Sequence, residues 1–533
     1  MKKLSLIIFV LLCSKLVSFA QSAEEGMYDW YADQTTKSKS ILEKLVSSNN
    51  IEAALYLGSI LESEGKADEA LKIYQKFATN TENESLAKVA EGRAFLINND
   101  RVEGNKSIEK AARSSRNKDL KVLCIAAESY IYGKGKDLNA AVSYLEKAQE
   151  VGASKYPRTY MVLGEFYRIL NDGGKAVTNY EFAHDYNKTS AAPFYKIAEI
   201  YTQAQNKAET LKALEKAIAV DQNFAPAYRL LGEQYFEQNY YQKAKESYDK
   251  YASLKPALTI DEKITYANIL YVSDDYDKLI PLTEEIIKVD QSKNYLVRLL
   301  GYAYLKKKDY QKGLSYMEQF FQKAPADKIL TSDYENLGRL QSALGQDSLA
   351  IISMSKAILM DSTKTQLYGS LGEMQLKAKR YSEAASNLQK FISTGEGLTT
   401  NDYYNLGRAY YYNQNYDKSE LAFAKVQEYL KENPIGYLWG FRARKQQDPD
   451  AEVDPQGYGK AKDQALELIR VINLTPENQA KYKKDLIDAN YYLAYYSFIK
   501  NEVDNSKMYC NKVLELDSSN ADAAGLLEHL NSN

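Results

Sequence analysis

The sequence predicts an all-α fold made of repeated pairs of short helices, and three observations support this prediction. A chain of 533 residues is too long to fold around one hydrophobic core. An aliphatic residue followed by Gly or Ala recurs at 34-residue steps, at Leu163-Gly164, Ile197-Ala198 and Leu231-Gly232. A tyrosine lies three positions after each of these pairs, at Tyr167, Tyr201 and Tyr235. Such a fixed period is typical of a repeat array.

The overall composition is that of a folded chain without a strong charge bias. Hydrophobic residues make up 45% and charged residues 26%, far from the composition of disordered chains. The 69 Lys and Arg nearly cancel the 71 Asp and Glu, and no long basic run occurs. Because nucleic-acid binding depends on concentrated positive charge, this balance argues against nucleic acid as a partner.

The first twenty residues have the organisation of an export signal. Two lysines precede an apolar run from 4 to 12, and the small residues Ser18 and Ala20 suit a signal peptidase. For an uncleaved membrane anchor the apolar run is too short, and a lipoprotein anchored at Cys13 would need a small residue before the cysteine. We therefore expect cleavage after Ala20 and an exported, periplasmic protein, with outer-membrane association as a further option. No transmembrane segment is expected after cleavage.

The second half of each unit repeats with the same period. Small residues recur at Ala176 and Ala244 and at Ala183 and Ala217, and large residues recur at Tyr180, Leu214 and Tyr248. These positions resemble the tetratricopeptide repeat, which has Leu-Gly at positions 7 and 8, aromatic residues at 11 and 24, and Ala at 20 and 27. The resemblance implies a right-handed superhelical solenoid of about 13 antiparallel helix pairs. The units start near Ile51, Ser85, Asp119, Pro157, Ala191, Ala225, Ile260, Asn294, Thr331, Thr365, Thr400, Pro434 and Ile487.

The register of these units predicts how the chain is divided. In chain order the expected segments are a signal peptide at 1–20, an N-terminal capping helix at 21–50, repeats 1–3 at 51–156, repeats 4–6 at 157–259, repeats 7–11 at 260–433, a divergent repeat with an acidic insertion at 434–486, and the last repeat with a C-terminal capping helix at 487–533. Each short helix must bury its apolar face against neighbours, so only the ends of the array need caps.

The repeat positions also account for many of the 46 tyrosines. Gly or Ala at position 8 lets the two helices of a unit approach closely, and large residues at positions 4, 11 and 24 fill the space around this contact. A tyrosine ring packs well there while its hydroxyl reaches a polar group. Five further tyrosines occupy position 17 and are predicted to open second helices: Tyr241, Tyr276, Tyr310, Tyr381 and Tyr416.

The resemblance implies a concave groove lined by positions 2, 5, 9 and 12 of the first helices. The predicted groove residues are Met161, Glu165, Arg168, Tyr195, Glu199, Arg229, Glu233, Phe236, Tyr295, Arg298, Tyr302, Arg339, Tyr404, Arg408, Tyr411, Tyr491 and Tyr495. Because Tyr and Arg carry much of the binding energy at protein interfaces, we expect a protein or peptide partner, for example in an envelope or outer-membrane complex. Binding of a glycan or cell-wall polymer by the same tyrosines is the alternative.

The twelfth unit departs most from the repeat pattern and is predicted to carry a specialised patch. Trp439, Arg442 and Arg444 precede an acidic insertion from Asp448 to Pro455. The insertion lacks the Gly and Glu that an EF-hand loop needs at its sixth and twelfth positions, so no metal site is predicted. A solvated loop, folded back on Arg442 or Arg444, is the expected structure.

The sequence offers little for catalysis. Only two histidines occur, His184 and His529, so neither a His-assisted nucleophile nor a histidine-rich metal site is expected. Glu165, Glu199 and Glu233 recur at position 9 and should form a ladder of carboxylates on one face. A carboxylate-based hydrolase would require Glu165 and Glu199 to lie in a closed pocket with a raised pKa. We therefore predict a protein without catalytic residues and without a cofactor.

Overall fold

The computed structural model describes residues 22–532, in which the regular elements are all helices. Thirty α-helices follow one another in this range, twenty-eight of them as helix–turn–helix pairs, and no strand occurs among these residues. The predicted all-α fold of paired helices is therefore confirmed. The predicted export segment lies outside the described residues. Among residues 22–532, no helix combines the length and the apolar character that crossing a bilayer requires.

Contacts between helices divide the chain into unit 1, Met1–Asp275, and unit 2, Tyr276–Asn533. The described helices of unit 1 are α1 Ala23–Tyr31, α2 Thr35–Ser47, α3 Ile51–Ser63, α4 Ala67–Phe77, α5 Glu84–Ile97, α6 Arg101–Ser114, α7 Leu120–Glu128, α8 Leu138–Gly152, α9 Arg158–Ile169, α10 Gly173–Tyr186, α11 Ala192–Gln203, α12 Lys207–Val220, α13 Ala225–Glu237, α14 Tyr241–Leu254 and α15 Ile260–Val272. A short 3₁₀ turn, Ala153–Lys155, precedes α9.

The described helices of unit 2 continue the same alternation. They are α16 Tyr276–Val289, α17 Asn294–Lys306, α18 Tyr310–Lys323, α19 Thr331–Ala343, α20 Asp347–Met360, α21 Gln366–Lys377, α22 Tyr381–Ile392, α23 Thr400–Tyr412, α24 Tyr416–Tyr429, α25 Pro434–Lys445, α26 Lys462–Ile472, α27 Pro476–Lys481, α28 Lys483–Ile499, α29 Val503–Leu516 and α30 Ala521–Ser532. A second 3₁₀ turn, Ala326–Lys328, precedes α19.

The helix pairs correspond to the repeats read from the sequence. Helices α3 to α14 form repeats 1 to 6, α15 and α16 belong to repeat 7, α17 to α26 form repeats 8 to 12, and α28 with α29 forms repeat 13. The segment before repeat 1 contains a hairpin of two helices, α1 and α2, rather than the single helix expected there. All five tyrosines expected to open second helices are the first residues of α14, α16, α18, α22 and α24.

The close contact between the two helices of a repeat explains the glycine at position 8. A Cβ atom added at Gly164 would lie 2.4 Å from the ring of Tyr180, which is the position-24 residue of the same repeat. At Gly407 the corresponding atom would lie 2.7 Å from the ring of Phe423. Tyr180 and Phe423 are both fully buried, so only glycine leaves room for these rings.

Candidate partner-binding surfaces

The predicted groove residues lie on the first helices of the repeats, and we call the surface that they line the first-helix face of each unit. In unit 1 the helices α1 and α2 cover this face. The Tyr31 hydroxyl donates a 3.0 Å hydrogen bond to Glu128 on α7. Asp33 accepts a 2.8 Å hydrogen bond from the Tyr195 hydroxyl on α11 and lies 3.3 Å from the Arg229 guanidinium on α13. The hairpin thus joins the first helices of repeats 3, 5 and 6.

The covering hairpin changes the role of three predicted groove residues. Met161, Glu165 and Tyr195 are 0%, 3% and 1% exposed, and Met161 belongs to the same buried cluster as Met27 and Tyr31 of α1. They therefore do not form an accessible groove wall, and this part of the prediction is wrong. The physical reason is that α1 occupies the space that the repeat pattern alone leaves open.

The ladder of position-9 carboxylates in unit 1 alternates with cations. Arg168 lies 2.8 Å from Glu165, Lys196 lies 2.7 Å from Glu199, and Arg229 lies 3.1 Å from Glu233. Burial raises the pKa of Glu165, but the Lys196 charge and the hydrogen bonds from Arg168 and Tyr180 outweigh burial and hold this pKa below its usual value. Burial raises the pKa of Glu199 and of Glu233.

Beneath this ladder lies a buried arginine–glutamate pair that the sequence analysis missed. Arg158 on α9 forms an ion pair with Glu128, and both side chains are 0% exposed. The Arg158 guanidinium also lies 4.1 Å from the centre of the Tyr56 ring on α3. The pair therefore links the first helices of repeats 1, 3 and 4. Arg158 stands at position 2 of repeat 4, one of the groove positions, but Glu128 stands at none of them, so only the three-dimensional contact reveals the pair.

A cavity of 850 Å³ lies beside α2 at the end of the described part of unit 1. Arg229, Glu233, Tyr248 and Tyr251 contribute to its lining. Burial raises the pKa of Tyr248 in this lining. Phe236 is partly buried and its ring centre lies 6.1 Å from that of Tyr241.

In repeats 8 and 9 of unit 2, two predicted groove residues are tied to a buried aspartate. Arg298 lies 3.1 Å from Asp333, and the Tyr302 hydroxyl donates a 2.5 Å hydrogen bond to it. Asp333 is 0% exposed and also accepts a 2.6 Å hydrogen bond from the backbone N–H of Leu330, before α19. Tyr302 is only 6% exposed, so its prediction as an accessible groove residue is wrong. Tyr295 is exposed beside it.

Repeats 11 and 12 bring four predicted residues together in what we call the Arg408 cluster, which consists of Tyr404, Arg408, Tyr411, Tyr412 and Trp439. The ring centre of Trp439 on α25 lies 5.2 Å from that of Tyr411, 6.0 Å from Tyr412 and 6.3 Å from Tyr404 on α23. The Arg408 guanidinium lies 5.6 Å from the Tyr404 ring centre and 6.0 Å from the Trp439 ring centre. The sequence analysis did not single out Tyr412, which is 41% exposed.

Arg408 differs from the other predicted groove arginines because it forms no ion pair with any described residue. Its Nε atom is buried and has no hydrogen-bond partner. Arg339, by contrast, lies 3.0 Å from Glu335 on its own helix. Arg442 packs 5.1 Å from the Trp439 ring centre but pairs with Asp485 at 3.0 Å. The Arg408 cluster therefore carries a positive charge that the described chain does not neutralise.

The acidic insertion does not fold back on either neighbouring arginine. Arg444 pairs with Glu420 at 2.6 Å, while Asp448 accepts hydrogen bonds from the backbone N–H groups of Gly459 and Lys460 at 3.0 and 2.6 Å. The expected contact with Arg442 or Arg444 is thus wrong, because backbone donors within the loop and the Tyr492 hydroxyl on α28, at 2.7 Å, bind Asp448. Across residues 22–532, no group of three His, Cys, Asp or Glu side chains is placed to hold a metal ion.

The last two predicted groove residues lie on α28, in repeat 13. Tyr495 is partly buried and packs edge to face against Tyr458 from the insertion segment, with 5.7 Å between ring centres. Tyr491 is partly buried, and burial raises its pKa. These tyrosines are separated along the chain from the Arg408 cluster by the whole divergent repeat, and no contact joins them to Arg408 among those the structure describes.

The paired helices and their glycine contacts define a helical-repeat protein. Tetratricopeptide-repeat family profiles match residues 52–80 and residues 225–258, within repeats 1 and 6. The chain therefore contains tetratricopeptide repeats, which generally form protein-interaction scaffolds.

One curated protein and several solved structures are similar to parts of this chain. The chain is 21% identical over 239 residues to the anaphase-promoting complex subunit CDC16 of Saccharomyces cerevisiae, a match that spans 43% of this chain and 28% of the relative. Among solved structures, the C-terminal part of a tetratricopeptide repeat-containing protein from Cytophaga hutchinsonii is 30% identical, with a TM-score of 0.40 over 49% of this chain and 98% of that one. YrrB, a repeat protein described as having an unusual peptide-binding site, is 17% identical, with a TM-score of 0.31 over 38% of this chain and 97% of that one.

Proposed function

We propose that this protein is a non-catalytic scaffold of the bacterial cell envelope that binds a protein or peptide partner at the Arg408 cluster of unit 2. The observation that carries the proposal is the unpaired guanidinium of Arg408 among aromatic rings. Aromatic residues and arginine are the residue types that dominate binding at protein interfaces. A cation held in place without a carboxylate is ready to pair with a partner.

The export signal predicted for residues 1–20 supports the placement in the envelope. A cleaved signal would deliver the repeats to the periplasm, where binding to an envelope or outer-membrane protein becomes the expected use of a scaffold. This placement is testable by itself, because N-terminal sequencing of the secreted protein identifies the cleaved bond. Cleavage after Ala20 supports it, and a mature protein that retains Lys2 and Lys3 contradicts it.

The packing of the rings favours a peptide over a glycan. Sugars bind by stacking on an open aromatic face. One face of Trp439 is stacked on Phe423 with 5.5 Å between ring centres, and Tyr412 is stacked on Tyr381 with 5.0 Å between centres. The remaining neighbours of Trp439 meet it edge to face. The cluster therefore presents ring edges and a guanidinium, which suit a peptide side chain and its backbone.

The arrangement of Glu165 and Glu199 does not favour the alternative of a carboxylate-based hydrolase. A general acid needs a pKa above its usual value. Burial raises the pKa of Glu199, but the pKa of Glu165 is lowered, so the two carboxyls do not both meet this condition. Lys196 lies 4.0 Å from Glu165 and 2.7 Å from Glu199. A shared lysine stabilises the ionised forms. Binding is therefore the function that we propose for this chain.

Photo-crosslinking in intact cells tests the proposed partner-binding surface. A photoreactive phenylalanine analogue replaces Tyr412 in unit 2, and the control replaces Tyr186 in unit 1, which is 51% exposed. We expect a discrete protein adduct from position 412 and none from position 186. The combined change Tyr404→Ala, Arg408→Ala and Tyr411→Ala should abolish that adduct. Adducts of equal strength from both positions, or adducts only to polysaccharide, would contradict the proposal.

A further inference from the structure

We infer that the partner presents an internal aspartate or glutamate side chain to Arg408, within a segment whose flanking residues are apolar or aromatic. This inference rests on the proposed function and specifies the chemistry of the partner. It follows from three features of the Arg408 cluster, namely the unpaired guanidinium, the surrounding charges and the position of the rings. Each feature is independent of the identity of the partner.

The first feature is the contrast between Arg408 and the other arginines of the predicted groove and patch. The others have a carboxylate within ion-pair distance: Arg168 has Glu165, Arg229 has Glu233, Arg298 has Asp333, Arg339 has Glu335, Arg442 has Asp485 and Arg444 has Glu420. Arg408 makes no ion pair with a described residue, and its Nε is buried without an acceptor. Because a buried donor without an acceptor is unfavourable, a ligand oxygen at this place would be stabilising.

The second feature is that neighbouring carboxylates are already engaged. Glu373 on α21, one repeat earlier, accepts hydrogen bonds from Asn405 at 3.0 Å and from Asn401 at 3.3 Å. Asp485 is held by Arg442. Neither carboxylate forms an ion pair with Arg408, so the negative charge that complements Arg408 is inferred to come from another molecule. A guanidinium offers two parallel N–H groups to a carboxylate, which makes Asp or Glu the best-matched side chain.

The third feature is that aromatic rings lie on both sides of Arg408 along α23. Tyr404 is four residues before it, and Tyr411 and Tyr412 are three and four residues after it, so all four side chains share one helix face. A segment that places its carboxylate on Arg408 therefore has rings to contact in both chain directions. A carboxylate at the end of a chain would leave the rings on one side uncovered, which is why we infer an internal side chain.

Binding of defined peptides to the purified full-length chain tests this inference. The probe is an array of short synthetic peptides, acetylated and amidated at their ends, in which varied apolar and aromatic residues flank a fixed central Glu, Gln or Lys. A further set has central Gln and a free C-terminal carboxylate. The best Glu peptide and its Gln and Lys counterparts are then measured in solution by fluorescence anisotropy. The variants are Arg408→Gln, Arg408→Lys, Tyr411→Ala and, as a matched control, Arg339→Gln.

We expect the Glu peptide to bind at least about tenfold more tightly than its Gln counterpart, with the Lys peptide weakest. Arg408→Gln should remove the preference for Glu, Arg408→Lys should retain part of it, and Arg339→Gln should leave it unchanged. If the Glu, Gln and Lys peptides bind equally and Tyr411→Ala weakens the binding of all three, the inference is wrong and the proposed function stands. Preference for the free C-terminal carboxylate also overturns the inference. If no set binds, both the inference and the proposed function fail.

Discussion

The two units present the same kind of first-helix face but use it differently. In unit 1 the hairpin of α1 and α2 covers this face, and Tyr31 and Asp33 bind side chains of three repeats. In unit 2 the first-helix face of repeats 11 and 12 carries exposed aromatic edges and an arginine without a partner. Polar side chains at the groove positions are thus bound to other side chains in unit 1 and in repeats 8 and 9 of unit 2, whereas Arg408 in repeat 11 has no carboxylate partner among the described residues.

Two arginines illustrate this difference. Arg158 and Arg408 both lie against tyrosine rings, at 4.1 Å from Tyr56 and 5.6 Å from Tyr404. Arg158 is fully buried and paired with Glu128, whereas Arg408 is partly buried and unpaired. The ring contact alone does not distinguish a structural arginine from the arginine that we propose to bind a partner. The presence or absence of a carboxylate does.

The largest expected effect is on the buried pair of unit 1. Glu128→Gln removes the negative charge and leaves the Arg158 guanidinium buried without a counter-charge, so we expect the unfolding free energy of unit 1 to fall by about 3 kcal/mol or more. Among residues 22–532, each unit carries one buried cysteine, Cys124 in unit 1 and Cys510 in unit 2. Burial raises the pKa of Cys124 to about 12, so its thiol reacts only when unit 1 opens.

Thiol labelling in a Cys13→Ser background measures this effect for each unit separately. Glu128→Gln should accelerate labelling of Cys124 and leave labelling of Cys510 unchanged. The control Glu109→Gln breaks an exposed pair with Arg113 and should cost less than about 1 kcal/mol. Equal acceleration of labelling at Cys124 and Cys510 would show that the buried pair does not stabilise unit 1 selectively.

The next effect concerns the attachment of the hairpin. Tyr31→Phe keeps the buried ring but removes the hydroxyl that donates to Glu128, so we expect a loss of about 1 kcal/mol. Hydrogen exchange should rise within residues 23–47 and stay constant within 400–412. Tyr429→Phe, an exposed change in unit 2, serves as the control. Unchanged exchange in the hairpin would mean that this hydrogen bond does not hold the hairpin in place.

A pH dependence follows from the lowered pKa of Glu165. A carboxyl whose folded-state pKa lies below its ordinary 4.5 stabilises the folded state fully above that value, and this contribution is lost as the pH falls towards the folded-state pKa. Glu165→Gln should therefore flatten the decline in unfolding free energy below about pH 4.5. Chemical denaturation of wild type and variant across this range gives the comparison. Parallel curves for the two proteins would contradict the interpretation of Glu165 as a structural carboxylate.

The smallest effect on stability is expected at Arg408, the arginine that we propose to bind a partner. Arg408→Gln removes no ion pair and no hydrogen bond to a described residue, so the unfolding free energy of unit 2 should change by less than about 1 kcal/mol. Arg298→Gln, the matched change at a paired position, leaves the buried Asp333 without its cation and should cost about 3 kcal/mol. Denaturation measures both variants. Similar losses of unfolding free energy for Arg408→Gln and Arg298→Gln would contradict the distinction between an unpaired and a paired arginine.

The fold followed from the sequence because each repeat encodes its own packing. Gly164 and Tyr180 stand at fixed positions of one repeat and meet in the structure, as do Gly407 and Phe423. The covering hairpin could not be predicted, because its contacts, such as that between Asp33 and Tyr195, join residues 162 positions apart. The position of a residue in the repeat predicts the helix face on which its side chain lies. It does not predict which other segment of the chain covers that face.

The special position of Arg408 did leave a signal in the sequence. Arg168, Arg229 and Arg339 each have a glutamate three or four residues away, where it can pair along the helix. Arg408 has Tyr404, Asn405, Tyr411 and Tyr412 at these spacings instead. The pairs of Arg298 with Asp333 and of Arg442 with Asp485 cross between repeats, however, and require the structure.

The contrast between the two faces is tested most directly by hydrogen exchange of the full-length chain with and without the best Glu-centred peptide. We predict added protection within 400–412 and 434–445 of unit 2, together with unchanged exchange of the hairpin at 23–47. Protection confined to unit 1, or release of the hairpin on binding, would show that partners bind where α1 and α2 lie and would contradict the assignment of the Arg408 cluster.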